Sequence, residues 1–201
     1  MYEYISGRLD YVCPEYISVE ADGVGYLINV PNPFALGHKI DTNVRIYVYH
    51  HIREDFMGLY GFLTREERKF FIKLINVTGI GPKGALAVLA SGQVDQVVRA
   101  IEAEDESYLV KFPGVGKKTA RQMILDLKGK LKDFTEIAGE NAVVKVTNYQ
   151  VQNNENLDEA MLALQALGYS EKELTKIAKL LASEEHSTED YIKLALKLML
   201  K

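Results

Sequence analysis

The segment Val77-Thr78-Gly79-Ile80-Gly81-Pro82-Lys83-Gly84-Ala85-Leu86 is the most informative part of this chain, because its pattern returns 35 residues later. The second copy is Phe112-Pro113-Gly114-Val115-Gly116-Lys117-Lys118-Thr119-Ala120-Arg121. In each copy a helical run leads into a Gly-aliphatic-Gly turn, and a lysine and an apolar-periodic helix follow. The repeat therefore predicts two helix-hairpin-helix units in tandem.

Such hairpins are suited to hold phosphate groups. Their glycines permit positive φ angles and leave no side chain above the turn. The helix that follows begins with unpaired N–H groups and a partial positive charge, and both attract an anion. A site of this kind grips the sugar-phosphate backbone of DNA without reading base sequence. The predicted DNA-binding residues are Gly79, Gly81, Lys83, Gly114, Gly116, Lys117, Lys118 and Arg121. Ordinary structural turns in a helical bundle are the alternative, which the recurring lysine disfavours.

The charge distribution supports this interpretation although the whole chain of 201 residues has a net charge of −4. Residues 1–64 carry 4 basic and 8 acidic side chains, residues 65–135 carry 13 and 9, and residues 136–201 carry 7 and 11. The basic segment is thus the one that holds both hairpins. A basic centre between acidic flanks favours localised binding of nucleic acid.

Several other classes of protein are disfavoured by the composition. Neither a long apolar run nor a leader peptide is evident, so a cytoplasmic location without membrane attachment is expected. A single cysteine, Cys13, permits no internal disulfide or cysteine-based metal cluster. The four histidines are scattered, which predicts no metal site. Residues 114–119 resemble a phosphate-binding P-loop only in part, because Lys111 stands where that motif requires glycine. We therefore expect no ATP hydrolysis by this chain.

Residues 1–63 predict a small β-barrel. Short runs rich in β-branched and aromatic residues alternate with turn residues. Five strands are expected, at residues 6–13, 16–21, 25–30, 44–50 and 56–62. Five closely spaced strands favour a barrel of the OB type. Between the last two strands, Glu54 and Asp55 occupy a hairpin tip that spacing alone would assign to a solvated turn.

The rest of the chain predicts helices and a linker. Thr64 and Glu67 form a capping-box pattern at the start of the helical region 64–134, whose last helix is expected at 117–132. Residues 135–155 show no period and predict a flexible linker. Residues 156–201 predict a three-helix bundle, UBA-like, whose first helix should begin at Asn156 and end before Gly168. The expected fold class is therefore α+β multidomain: barrel, tandem helix-hairpin-helix domain, linker and three-helix bundle.

Two other functions fit the hairpins. A generic double-hairpin module would bind duplex DNA as a monomer, without using the barrel or the Glu54-Asp55 tip. A helix-hairpin-helix DNA glycosylase would need a catalytic carboxylate after the second hairpin. The nearest candidates are Asp133 and Glu136, which lack the apolar run into aspartate that is typical of those enzymes.

In combination and in order, the motifs resemble the RuvA family, the Holliday-junction-binding subunits of bacterial branch-migration complexes. The resemblance covers essentially the whole chain, although the linker resembles the family only in its general character and not in specific motifs. Besides the two hairpins it rests on Gly7-Arg8-Leu9, Gly23-Val24-Gly25-Tyr26, Arg53-Glu54-Asp55, Leu59-Tyr60-Gly61-Phe62 and Ala166-Leu167-Gly168-Tyr169.

The resemblance implies a homotetramer, sometimes an octamer, assembled through the barrels. It makes Glu54 and Asp55 an acidic pin, with Arg53 as a balancing charge, at the centre of a four-way junction. It assigns the C-terminal bundle to binding RuvB, a hexameric ATPase, and we expect Leu164, Leu167 and Tyr169 to present an apolar patch there unless they are core. RuvC, the resolvase, is a further implied partner. No cofactor and no catalytic residue of the chain's own are implied.

Overall fold

The computed structural model describes residues 1–131, 134, 153–182 and 186–200. Most of the predicted linker, residues 135–152, lies outside the described residues, as do Asp133 and Glu136. The described parts form an N-terminal barrel, a central helical region and a C-terminal helical bundle. None of the described helices is both long and apolar enough to cross a membrane.

The N-terminal residues form a closed five-stranded barrel in the order β1-β2-β3-β5-β4. Its strands are β1 (Tyr4–Val12), β2 (Ile17–Ala21), β3 (Val24–Asn29), β4 (Asn43–Ile52) and β5 (Met57–Phe62). All neighbours pair antiparallel except β3 and β5, whose parallel pairing closes the barrel. A short 3-10 helix, Pro33–Lys39, joins β3 to β4. The predicted OB-type barrel is therefore confirmed, with every strand end within two residues of its expected position.

Alternating side chains of the strands fill the barrel with branched aliphatic residues. Leu9, Ile17, Val19, Ile28 and Ile46 are each fully buried. Period-2 alternation places these residues on one face of the strands, which becomes the barrel interior.

The central region consists of helices α1 (Arg65–Ile75), α2 (Pro82–Ala90), α3 (Val94–Glu102), α4 (Glu106–Leu109) and α5 (Lys117–Leu127). The capping box of Thr64 and Glu67 is present as predicted. Helix α5 is shorter than the predicted span, which ran to residue 132. Lys128 leaves the helical conformation and Gly129 has a φ of 75°. The carboxylate of Glu102 accepts a hydrogen bond from the Gly129 N–H at 2.7 Å, which holds the chain in this different direction.

The C-terminal bundle contains α6 (Asn153–Ala166), α7 (Glu171–Leu181) and α8 (Thr188–Met199), and each helix contacts the other two. The predicted start at Asn156 is wrong, since Asn156 lies inside α6 and its side-chain amide donates to the His186 carbonyl instead of capping the helix. Gly168 ends α6 as expected. It has a φ of 103°, and the following Tyr169 N–H donates to the Leu164 carbonyl.

An aromatic cluster fixes the first central helix to the barrel. The Phe71 ring of α1 lies 5.3 Å from the Tyr60 ring, 4.9 Å from Phe62 and 5.7 Å from Tyr49, measured between centroids. At the edge of this contact the Arg68 guanidinium donates to the Glu3 carboxylate at 2.7 Å. The helix that leads into the first hairpin is therefore attached to strands β4 and β5.

The C-terminal bundle also contacts the second hairpin. The Lys111 ammonium donates to the Leu200 carbonyl at 2.7 Å. A Cβ atom at Gly168 would lie 3.6 Å from the Cβ of Pro113. Buried residues of the bundle consequently join the same apolar cluster as those of the central helices.

We predict that Gly7→Ala destabilises the barrel by about 1–3 kcal/mol, the usual cost of an overpacked site. A Cβ atom at residue 7 would lie 2.0 Å from the Glu20 carbonyl oxygen of the neighbouring strand. Because that oxygen is backbone, relief requires β1 and β2 to separate. The measurement is the free energy of unfolding of the full chain in urea. Gly37→Ala is the matched control, because nothing lies within 4 Å of its added methyl group. Equal stability of the two variants would contradict the prediction.

Candidate nucleic-acid interface

The two hairpins have the same backbone hydrogen bonds. In the first, the Ile80 N–H donates to Val77 at 3.1 Å, and in the second the Val115 N–H donates to Phe112 at the same distance. The aliphatic residues Ile80 and Val115 are 7% and 5% exposed. The repeat seen in the sequence is thus a repeat of structure, in which each buried aliphatic residue attaches its turn to the helices.

Within each hairpin the two glycines have different roles. Gly79 and Gly114 have φ angles of 95° and 76°, in the left-handed region that favours glycine. Gly81 and Gly116 have φ angles of −91° and −83° and are the N-cap residues of α2 and α5. The expectation that all four glycines serve by permitting positive φ is therefore wrong for the second member of each pair. Its role is to cap a helix without a side chain.

This absence of a capping side chain distinguishes α2 and α5 from most other described helices. Side chains of Thr64, Asp105, Ser170 and Ser187 accept hydrogen bonds at the starts of α1, α4, α7 and α8. Neither hairpin helix has such an acceptor. Pro82 has no N–H, so the first turn of α2 offers the N–H groups of residues 83 and 84, whereas α5 offers those of residues 117–119. Both sets can donate to an external anion.

The hairpins are packed against each other reciprocally. A Cβ atom at Gly79 would lie 3.0 Å from the Thr119 hydroxyl oxygen on α5. A Cβ atom at Gly84, in the first turn of α2, would lie 3.2 Å from the Pro113 carbonyl oxygen. Each helix start therefore contacts the opposite hairpin, and this holds the two uncapped N-termini side by side.

Exposed cations surround the two helix starts. Lys83, Lys117 and Lys118 are exposed, and none has an ion-pair partner among the described residues. Arg121 is also exposed, but its guanidinium donates to the Glu106 carboxylate at 2.8 Å. Three of the four predicted cations are consequently available to phosphate, and Arg121 would have to share or leave its partner.

The predicted acidic tip is a tight turn that projects from the barrel. The Arg53 N–H donates to Phe56 at 2.8 Å and the Phe56 N–H donates back at 3.4 Å, which leaves Glu54 and Asp55 as a two-residue tip between β4 and β5. Both acidic residues and Arg53 are exposed, and no ion pair joins the three to any described side chain. The carboxylates can therefore act on an external charge.

Aromatic side chains form the base of this tip. The His51 ring lies 6.1 Å from Phe56, 6.0 Å from Tyr60 and 6.0 Å from Tyr49. Burial, and secondly the positive charge of Arg53, lower the pKa of His51. The imidazole is therefore largely neutral at pH 7 and leaves the acidic character of the tip unchanged.

The residues predicted to bind a partner are buried. Leu164, Leu167 and Tyr169 are 0%, 6% and 4% exposed, and burial raises the pKa of Tyr169. The expectation that these three residues form an exposed patch is therefore wrong, because they belong to the core. The bundle exposes Leu162 instead, at a groove between α6 and α7 whose other lining residues include Met161, Ala178 and the buried Leu157 and Leu174.

Sequence reasoning missed three residues of these surfaces. Gly84 and Thr119 carry the contact between the hairpins. They occupy equivalent positions of the repeat, and that equivalence could have identified them from the sequence. Phe56 adjoins the acidic tip. Aromatic residues are common in strands, so its sequence position alone did not indicate a functional role. Among the described residues, no group of three or more His, Cys, Asp or Glu side chains is arranged to hold a metal ion.

Comparisons with known proteins agree with this architecture. Residues 1–61 match the family model of the RuvA N-terminal domain, residues 71–130 that of the SAM-like helix-hairpin-helix tandem, and residues 155–200 that of the RuvA C-terminal domain. The Holliday junction branch migration complex subunits RuvA of Bacillus mycoides (strain KBAB4) and Anoxybacillus flavithermus (strain DSM 21510 / WK1) are each 53% identical to this chain. The alignments cover 100% of this chain and 98% and 100% of those proteins. The chain belongs to the RuvA family.

Proposed function

We propose that this protein binds four-way DNA junctions as a tetramer, holds them open and planar, and recruits the RuvB ATPase for branch migration in recombination and repair. The observation that carries the proposal is the pair of uncapped helix N-termini, held side by side and surrounded by unpaired lysines. The relatives named as Holliday junction branch migration complex subunits supply the DNA structure to which these hairpins would bind.

The mechanism is one of positioning rather than of bond making. The two hairpins of one protomer would grip phosphates of one junction arm, whatever its sequence. Four protomers would place four acidic tips at the centre, where the Glu54 and Asp55 carboxylates repel phosphates. That repulsion would disfavour a continuous duplex across the centre and favour separated strands. RuvB would supply ATP hydrolysis and draw the arms through, and RuvC could act on the product.

The aromatic contact between α1 and the barrel supports a rigid arrangement of these parts. Phe71 packs on Tyr60 of β5, the strand that begins two residues after Asp55. Hairpins and acidic tip are thus attached to the same strands, so that their separation within one protomer is set. We propose the predicted domain division with one boundary moved, because α6 begins at Asn153: 1–63, 64–134, 135–152 and 153–201. The last segment is the RuvB-binding module, and the location is cytoplasmic.

We predict much tighter binding to a four-way junction than to linear duplex of equal length, with a steep salt dependence. Each neutralised phosphate contributes about −0.9 to the slope of log K against log salt concentration. Eight hairpins acting together should give a slope of roughly −7 or steeper on the junction. Titrations over a salt series measure both quantities. Equal affinity for junction and duplex, with a slope near about −2, would indicate a lone double-hairpin module and refute the proposal.

The double substitution Glu54→Gln with Asp55→Asn should relax selectivity for the junction. Removing the carboxylates removes the repulsion of phosphates, so that binding to plain duplex should tighten while junction binding persists. Duplex and junction affinities, measured at one salt concentration, test this. The control is Asp22→Asn, an exposed carboxylate in the β2–β3 turn. Unchanged duplex affinity in the double variant would count against the acidic pin.

Removing the C-terminal module should spare junction binding and abolish stimulation of RuvB. Since α6 begins at Asn153, the chain should be truncated after residue 152. Leu162→Glu, which changes an exposed side chain of the α6–α7 groove, offers a second variant that keeps the fold. ATPase rates of RuvB with junction DNA provide the measurement. Loss of junction binding on truncation would show that the module has another role.

A further inference from the structure

Apolar side chains lie directly behind the acidic tip and are exposed. Ile52 is 66% exposed, Phe56 45% and Met57 73%. Ile52 and Met57 pair directly across β4 and β5, so both lie on one face of the hairpin. Phe56 lies on the opposite face, where it packs against His51 and Gly58. The exposed Phe56 ring beside the acidic turn is therefore a candidate binding surface.

Phe56 is held in place rather than free to rotate. Its ring lies over Gly58, where an added Cβ atom would be 2.8 Å from the ring carbon Cζ. The ring of His51, the residue that pairs with Gly58, lies 6.1 Å from the Phe56 ring and is tilted by 53°, and His51 in turn packs against Tyr49 and Tyr60. A ring confined in this way loses little conformational entropy when it binds a flat partner.

We propose that Phe56 binds the face of a nucleobase that has left its stack at the centre of the junction. This inference rests on the proposed function, because it requires the acidic tips to lie at the point of strand exchange. It assigns two opposed actions to this part of the molecule: the carboxylates exclude phosphates, and the Phe56 ring behind them accepts a base.

The chemistry of the occupant follows from the charges at this site. Glu54 and Asp55 have no ion-pair partner among the described side chains, so the tip repels the backbone of a strand. An uncharged base is the part of a nucleotide that can approach it. Base pairs must open where strands are exchanged, which exposes π faces. Stacking on an aromatic side chain stabilises such a base and tolerates any sequence, since every base has a π face.

The test uses fluorescence, because the chain contains no tryptophan. Phe56→Trp would place a single indole beside the tip, and stacking on a base should quench its emission when junction DNA is added. The control is Leu180→Trp in the C-terminal bundle, at a side chain that is 58% exposed. We expect quenching by a four-way junction at the first position, little quenching there by linear duplex, and no change at the control position.

The outcomes separate the inference from the function on which it rests. Unquenched emission from a variant that still binds the junction would overturn base stacking and leave the proposed function intact. Blue-shifted emission before DNA is added, unchanged afterwards, would show that a second copy of the chain covers Phe56, and this too would overturn the inference. Failure of the unmodified protein to prefer the junction would refute the proposed function itself.

Affinity measurements provide a second readout. Phe56→Ala should lower junction affinity by roughly fivefold or more, the loss expected for a stacked base, while duplex affinity stays unchanged. Phe56→Tyr, which keeps the aromatic ring, should restore the affinity. An equal loss for both substitutions, or a loss that also affects duplex DNA, would exclude stacking as the cause.

Discussion

The contact between Phe71 and the aromatic residues of the barrel is the constraint on which the functional surfaces depend. Phe71 belongs to the helix that leads into the first hairpin, and its partners Tyr49 and Tyr60 belong to the strands that carry the acidic tip. Aromatic rings packed at 5–6 Å resist sliding because their shapes interlock in the dense interior. The proposed function requires a fixed separation between a tip that repels phosphates and hairpins that bind them, and this contact fixes the tip relative to the first hairpin's helix.

The hairpin helices lack the stabilising caps that other described helices have. A capping side chain contributes about 1 kcal/mol to a helix, and four other helices of the protein have one. Glycine at the start of α2 and α5 forgoes that contribution and leaves N–H groups for an external acceptor. The reciprocal packing of Gly79 on Thr119 and of Gly84 on Pro113 keeps these starts in place without occupying their donors.

The basic side chains fall into two groups, those paired with carboxylates and those without an ion-pair partner. Lys83, Lys117 and Lys118 have no ion-pair partner among the described residues, whereas Arg8 of the barrel and Arg68 of α1 are engaged by carboxylates. Ion-paired cations are thus mostly distinct from the cations left beside the helix starts, with Arg121 as the exception, because it is paired with Glu106. In the C-terminal bundle, Leu164, Leu167 and Tyr169 lie in the core, whereas Leu162 is exposed at the groove between α6 and α7.

The sequence by itself determined the elements and the hairpin chemistry. Strand alternation predicted the barrel, and the repeated Gly-aliphatic-Gly-lysine pattern predicted both hairpins, because these signals are local and periodic. It did not determine where α5 ends, since the Glu102 carboxylate that captures Gly129 lies 27 residues away along the chain. Nor did it show that Tyr169 is core, that Phe56 lies against His51, or that the hairpins pack reciprocally. Phe56 meets His51 because the β4–β5 hairpin sets the strand register, and the other features arise from contacts between residues distant in sequence. Only the tertiary structure brings these residues together.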